Sequence, residues 1–182
     1  SFTIIGGSIK LPKVKAALDA ASNNFVQLDE LAEAAGRRLS ELTKTEWGMV
    51  SSGCAAGVKH ITAACVAGGS PERLIRIPDL SGFEKTEVII PRYSRQHYDH
   101  AVRNIGVKII TVSTAAELEK AINPKTAMIY LTSGTPGAAS DTGQPLALEV
   151  IEAIAKPKNV PILMDAAAES LTIPPVHLKR GA

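Results

Sequence analysis

The chain has 182 residues, of which 45% are hydrophobic and 21% are charged. These values are ordinary for a globular protein, so the composition argues against disorder, and the length favours one domain. The formal net charge of +2 makes a nucleic-acid partner unlikely by composition, and two cysteines are too few for a disulfide framework. Because no apolar run reaches about 18 residues and the first residues lack a signal-peptide pattern, we expect a cytoplasmic protein without a membrane segment.

The first part of the chain is predicted to be helical. Apolar residues recur with the helical period over 10–21 and again over 28–42. A short apolar run, Trp47–Ser51, predicts a buried strand, and an alanine-rich helix is expected over Cys54–Ala67.

The rest of the chain alternates between apolar runs and amphipathic segments. Strands are predicted at 88–90, 107–112, 127–131 and 160–164, and helices at 97–105, 115–122 and 146–155. Continuously apolar strands that alternate with helices indicate a parallel sheet covered on both faces. The sequence therefore predicts a three-layer α/β fold, with an N-terminal helical segment at 1–45 and an α/β domain at 46–182.

The turn Ser51–Cys54 joins a predicted strand to a predicted helix. Such a helix start offers free backbone N–H groups, the positive end of the helix dipole and, here, two hydroxyls, which together suit a phosphate group. A plain strand-to-helix turn with a serine cap gives the same pattern, so both interpretations stay open.

Asp165 follows the last predicted strand and is followed by three alanines. Ligands of open α/β sheets bind beyond the carboxyl ends of the strands, and small neighbours let a carboxylate approach a flat ligand closely. An N-cap role is the alternative.

A polar and aromatic cluster at 91–100 follows another strand and contains two arginines, two histidines and two tyrosines. Metal ligands need a supporting shell, so a cleft lining is favoured over a metal site, and no metal is predicted.

Taken in order, these motifs resemble the selenocysteine synthase-like group of pyridoxal-phosphate enzymes. The group has the aminotransferase type I fold and includes D-glucosaminate-6-phosphate ammonia-lyase-like proteins. The resemblance covers nearly the whole chain, through the stretches 6–8, 25–31, 49–57, 62–69, 98–103 and 161–169.

The resemblance implies that pyridoxal 5'-phosphate is the cofactor. Ser52, Gly53 and Cys54 would hold its phosphate. Asp165 would be the catalytic carboxylate that pairs with the protonated pyridine nitrogen, which keeps the ring able to take up carbanion electrons.

Further contacts with the cofactor ring are implied in the same way. Ala167 would lie against one ring face, and Ser133 would face the ring hydroxyl. Position 94, where the family has histidine or an aromatic residue, is a serine here. The candidates for the other ring face are Tyr93, Arg95 and His97.

The family's lysine that bonds the cofactor aldehyde lies on a later strand, well beyond the aspartate. We therefore expect it after Ala182, and Lys179 is not assigned to this role. The implied activity is a lyase or transferase that acts on an amino acid or amino-sugar acid by elimination or substitution through an α-carbanion. A homo-oligomer is expected. The alternatives are an aminoacyl-tRNA selenium transferase-like enzyme and a non-catalytic α/β module that binds a phosphorylated ligand.

Overall fold

The computed structural model describes residues 9–133, 146–169 and 176–182. The chain forms two compact units, of which the first reaches to Val50 and the second begins at Ser51. Within the described ranges, no helix has both the length and the apolar character needed to cross a membrane.

The first unit contains helices α1 (Pro12–Ala21) and α2 (Leu28–Thr43), which confirms the two helices predicted here. Gly36 is the buried residue of α2, and a Cβ atom added to it would lie 2.7 Å from Cζ2 of Trp47. The glycine therefore lets the Trp47 ring approach the helix backbone.

The strand predicted at Trp47–Ser51 is wrong, because these residues form no strand. Trp47 is 56% exposed and Val50 is 73% exposed. A Cβ atom on Gly48 would lie 2.3 Å from the Cβ atom of Leu39 in α2. The segment thus lies against a helix rather than beside a strand that could pair with it, and its apolar run has no sheet to join.

The second unit is built on one parallel sheet. Its strands are β1 (Glu87–Pro91), β2 (Lys108–Val112), β3 (Thr126–Thr132) and β4 (Ile162–Asp165). They lie in the order β2-β1-β3-β4, and every neighbouring pair is parallel. The four strands predicted between residues 88 and 164 are confirmed, and their carboxyl ends lie along one edge of the sheet.

The helices of this unit lie before, between and after the strands. They are α3 (Cys54–Ala67), α4 (Pro71–Arg76), α5 (His100–Arg103), α6 (Ala115–Ala121), α7 (Leu148–Ala155) and α8 (Val176–Lys179). Single 3₁₀ turns occur at Arg92–Ser94, His97–Asp99 and Lys156–Lys158. Helix α4 was not predicted. Pro71 looks like a stop signal after α3, but it occupies the first turn of a new helix that Ser70 caps by accepting a hydrogen bond from Arg73 N.

The core lies on both faces of the sheet, as the pattern of buried residues shows. In β1, Val88 and Ile90 pack with residues of α3 and α5, whereas Ile89 packs with residues of α6 and α7. Tyr130 of β3 lies on the α3 face and Leu131 lies on the opposite face. This arrangement confirms the predicted three-layer α/β fold.

Candidate functional site

Asp165, the last residue of β4, lies at the centre of a hydrogen-bonded cluster at the carboxyl edge of the sheet. Its Oδ1 atom accepts hydrogen bonds from Cys54 Sγ at 3.0 Å and from the Ala167 backbone N–H at 3.0 Å. Its Oδ2 atom accepts a hydrogen bond from Tyr130 Oη at 2.8 Å. The structure thus brings Cys54 and Asp165, which are 111 residues apart in the sequence, into direct contact.

The start of α3 beside this carboxylate has the geometry of an anion site. Gly53 has a φ of 102°, a conformation that favours glycine, and nothing lies within 4 Å of the position its Cβ would take. The first backbone hydrogen bond of α3 runs from the Gly57 N–H to Gly53 O at 3.1 Å. The N–H groups of Cys54 and of the two residues after it therefore have no acceptor within the helix. Ser52 is exposed next to them. Unpaired N–H groups and the helix dipole favour a negative group here.

The two side-chain donors to Asp165 keep their protons at neutral pH. Burial, and then the hydrogen bond and charge of Asp165, raise the pKa of the Cys54 thiol to about 12. Burial, and then the charge and hydrogen bond of Asp165, also raise the pKa of Tyr130 above its ordinary value. Both groups therefore act as neutral donors to a carboxylate.

Tyr130 was not predicted as a site residue. It is fully buried in β3. A signal was present in the sequence, because a tyrosine inside an apolar strand needs a partner for its hydroxyl. The pattern could not show which partner that is.

Ser133 directly follows β3 and is 7% exposed. Its backbone N–H donates to the Asp165 carbonyl oxygen at 2.9 Å, which holds it beside the end of β4. Its Oγ atom is buried and has no hydrogen-bond partner among the described residues. Its contact with the ring hydroxyl of the cofactor stays a prediction.

Ala167 and Arg95, the other predicted cofactor contacts, have different surroundings. Ala167 is exposed in the turn after Asp165. Arg95 donates from Nε to Asp99 Oδ2 at 2.5 Å and from Nη1 to Thr111 Oγ1 at 3.0 Å. Thr111 belongs to β2, at the opposite edge of the sheet from β4. The structure therefore does not bring Arg95 together with Asp165, and its ring contact stays a prediction.

The other two candidates for the ring face also have defined positions. Tyr93 donates from Oη to the Leu146 carbonyl oxygen at 2.7 Å and packs on the α6–α7 side of the sheet. His97 lies on the α3 side, beside the first turn of that helix. Ser94 is fully buried, and its Oγ atom accepts from Thr132 N at 3.1 Å, so it ties the segment after β1 to the end of β3.

A cavity of about 280 Å³ lies between the first turn of α3 and the segment that leads into α5. It is lined by Ala55, Ala56, Lys59, His97, Tyr98, His100, Ala101 and Asn104. The polar and aromatic cluster predicted at 91–100 thus contributes three residues to a cleft. Among the described residues there is no group of three or more side chains of the metal-binding types.

Lys179 lies in α8 and is exposed. On the same helix, His177 Nε2 lies 2.5 Å from Glu169 Oε1. The sequence also predicts a loop rich in glycine, serine and proline at 133–144 and a loop at Pro174-Pro175. Apart from Ser133, both lie outside the described residues.

Comparison with solved structures identifies the fold class. The aspartate aminotransferase from Rhizobium meliloti superposes with a TM-score of 0.52 over 85% of this chain and 40% of that enzyme, at 20% identity. D-Glucosaminate-6-phosphate ammonia-lyase superposes with a TM-score of 0.84 over 93% of this chain and 47% of that enzyme, at 30% identity. The chain has the fold of the type I pyridoxal-phosphate enzymes, as predicted.

Comparison with curated proteins points to the same relative, although no family model matches. D-glucosaminate-6-phosphate ammonia lyase from Salmonella typhimurium is 32% identical over 177 residues, which are 92% of this chain and 47% of that protein. The 5'-C-glycyluridine monooxygenase-decarboxylase from a Streptomyces species is 30% identical over 178 residues, which are 92% of this chain and 44% of that protein. The predicted resemblance to the ammonia-lyase-like proteins is confirmed, and the chain spans about half the length of these two relatives.

Proposed function

We propose that the protein is a pyridoxal-phosphate-dependent lyase or transferase that acts on an amino acid or amino-sugar acid. At a coarser level, its relatives are enzymes, and they include an ammonia lyase. The observation that carries the proposal is the contact of 3.0 Å between Cys54 Sγ and Asp165 Oδ1. It brings an anion-binding helix start and a carboxylate to one site, and this cofactor needs both.

The residues present fit the cofactor. The first turn of α3 presents backbone N–H groups that would hold its phosphate, with Ser52, Gly53 and Cys54 around them. Ser133 Oγ, buried without a partner among the described residues, would meet the ring hydroxyl. Asp165 would accept a hydrogen bond from the ring nitrogen, and exposed Ala167 beside it offers only a small side chain to the ring.

When bound, the cofactor supplies an electron sink for a carbanion formed on the amino substrate. Asp165 contributes a fixed negative charge that keeps the proton on the ring nitrogen. Cys54 and Tyr130 donate to this carboxylate as neutral groups, so they orient it without cancelling its charge. The helix start holds the phosphate end of the ligand, which fixes the distance between that end and Asp165.

The first test is cofactor binding and ammonia release by the full-length protein. D-glucosaminate 6-phosphate, named for the relative, is the first substrate to try, followed by other amino acids and amino-sugar acids. Saturable cofactor binding with ammonia release supports the proposal. Saturable binding without turnover of any of these substrates would favour the non-catalytic module, and no binding of the cofactor would reject the proposed function.

Asp165→Ala tests the role of the carboxylate. We expect turnover to fall by about a hundredfold or more with the fold retained, because the ring nitrogen loses its proton partner. Asp79→Ala is the matched control, since Asp79 is a carboxylate in the same unit whose side chain binds Ser81 in an exposed turn. Turnover close to wild type in Asp165→Ala would rule out the assigned role.

The position of the reactive lysine is a further part of the proposal. We propose that no lysine within residues 1–182 bonds the cofactor aldehyde, and that exposed Lys179 belongs to the surface of α8. Borohydride reduction of the full-length protein with its cofactor, followed by peptide mapping, tests this. A label on Lys179, or on any other lysine of this sequence, would contradict it.

On the family resemblance we propose a small amino substrate and a homo-oligomer. On the composition of the chain we propose a cytoplasmic location and no nucleic-acid partner. Light scattering of the purified protein, with and without RNA, tests the oligomer and the absence of nucleic-acid binding together.

A further inference from the structure

The hydrogen bonds at Asp165 are distributed unevenly over its two oxygens. A carboxylate offers about four acceptor positions, two on each oxygen. Oδ1 uses two of them, for Cys54 Sγ and the Ala167 N–H. Oδ2 uses one, for Tyr130 Oη at 2.8 Å. Among the described residues, the position left open is therefore on Oδ2.

Tyr130 is placed to hold that oxygen firmly. It lies on β3 next to β4, where its register partner is Leu163, two residues before Asp165 on the same face of the sheet. Its side chain is fully buried, so it has little freedom to change rotamer. The hydroxyl therefore reaches Asp165 from a rigid strand rather than from a loop.

The direction of the Tyr130–Asp165 hydrogen bond follows from the two groups themselves. Burial, and then the charge and hydrogen bond of Asp165, raise the pKa of Tyr130, so its hydroxyl keeps its proton and donates it to Asp165 Oδ2.

A purely structural role would not need the hydroxyl. Phenylalanine would fill the same space among the apolar neighbours of Tyr130, which include Met128 and Val88, without bringing a polar atom into the core. The hydroxyl is useful where a carboxylate at the sheet edge has to keep one orientation.

We propose that Tyr130 is a positioning residue that fixes the plane of the Asp165 carboxylate. The open acceptor position on Oδ2 is then directed at the ring nitrogen of the cofactor. This inference rests on the proposed function for the identity of the ligand. The orientation of Asp165 itself is a property of the protein without cofactor and is tested there first.

The first experiment uses Cys54 as a reporter in the cofactor-free protein. Its alkylation by iodoacetamide is followed by peptide mass spectrometry, which separates it from Cys65. In Tyr130→Phe the carboxylate is free to turn away from Cys54, so more thiolate forms and we expect alkylation to be about threefold faster or more. Thr126→Val is the matched control, because it removes another buried hydroxyl of β3, which accepts a hydrogen bond from Asn123 N at the other end of the strand. It should leave the Cys54 rate unchanged.

The second experiment measures the dissociation constant of pyridoxal 5'-phosphate by titration of the full-length protein. We expect Tyr130→Phe to bind about tenfold more weakly, the usual effect of losing a hydrogen bond to a charged group. Tyr130→Met also removes the hydroxyl, and its flexible apolar side chain can fill the space of the ring. This variant should shift both measurements in the same direction, and it decides the matter if Tyr130→Phe does not fold.

The outcomes separate this inference from the proposed function. If the wild-type protein does not bind the cofactor saturably, the proposed function fails, whatever the thiol data show. If the wild-type protein binds it, but Tyr130→Phe or, where that variant does not fold, Tyr130→Met matches wild type in both the Cys54 rate and the affinity, the positioning role is overturned and the proposed function stands. A faster Cys54 reaction together with weaker binding supports the inference.

Discussion

The clearest quantitative consequence of the site concerns the reactivity of Cys54. Its pKa is raised from 9.0 to about 12 by burial and by Asp165, although its side chain is accessible to small reagents. A rise of three pKa units lowers the thiolate population at pH 8 by about a thousandfold. The thiolate of a thiol with a higher pKa is more nucleophilic, and this raises the reaction rate again by about twentyfold. We therefore expect Cys54 to react about fiftyfold more slowly than an unperturbed thiol.

Asp165→Asn isolates the electrostatic part of this effect. The side chain keeps its size, so burial still raises the pKa of Cys54, but the negative charge and the charged acceptor are gone. We expect alkylation of Cys54 to become about tenfold faster. Cys65 serves as an internal control, because burial alone raises the pKa of its thiol and Asp165 has no part in it.

The assay is iodoacetamide labelling at several pH values between about 7 and 10, a range around the ordinary thiol pKa, with each cysteine quantified by peptide mass. Two results would refute the reasoning. One is a wild-type Cys54 that reacts like an unperturbed thiol. The other is an unchanged Cys54 rate in Asp165→Asn, which would show that the contact of 3.0 Å does not influence the thiol.

Two further predictions concern stability. Gly53→Ala should lower the free energy of unfolding in urea by about 1–3 kcal/mol through backbone strain alone, because φ is 102° and no atom lies near the added Cβ. Gly69→Ala is its control, since Gly69 also has open space but no positive φ, and an equal loss in both variants would contradict the argument. The second prediction is that stability falls between about pH 9 and 12. The folded-state pKa values of Cys54 and Tyr130 are raised, so their contribution is complete below the unfolded pKa values and is lost as the pH rises toward the folded ones. Tyr130→Phe should lose less stability over this range, and an equal loss would show that Tyr130 does not contribute.

Local patterns in the sequence were sufficient for most elements of the second unit. The helix predicted at Cys54–Ala67 has those same bounds in the structure, and the apolar run at 127–131 lies within β3. Both depend on hydrophobic period and on glycine or polar residues at the ends, which act over a few neighbouring positions. Local patterns failed where a long-range partner decides the structure. The apolar run Trp47–Ser51 could form a strand only if it paired with another strand. In the structure it packs against helix α2 through Gly48.

The candidate site shows the same division. The residue types at Ser52–Cys54 and at Asp165 indicated an anion site and a carboxylate at a strand end. Only the packing of α3 against β3 and β4 brings Cys54 into contact with Asp165. Only the order of the strands places Thr111, which Arg95 contacts, at the opposite edge of the sheet. Tyr130 was not predicted as a site residue. Its place in an apolar strand indicates that it is buried, but it does not identify the partner of its hydroxyl. A hydrogen bond between residues distant in the chain requires a donor–acceptor distance of about 3 Å and a suitable direction of the donor N–H or O–H. The spacing of residues in the sequence gives no information about either.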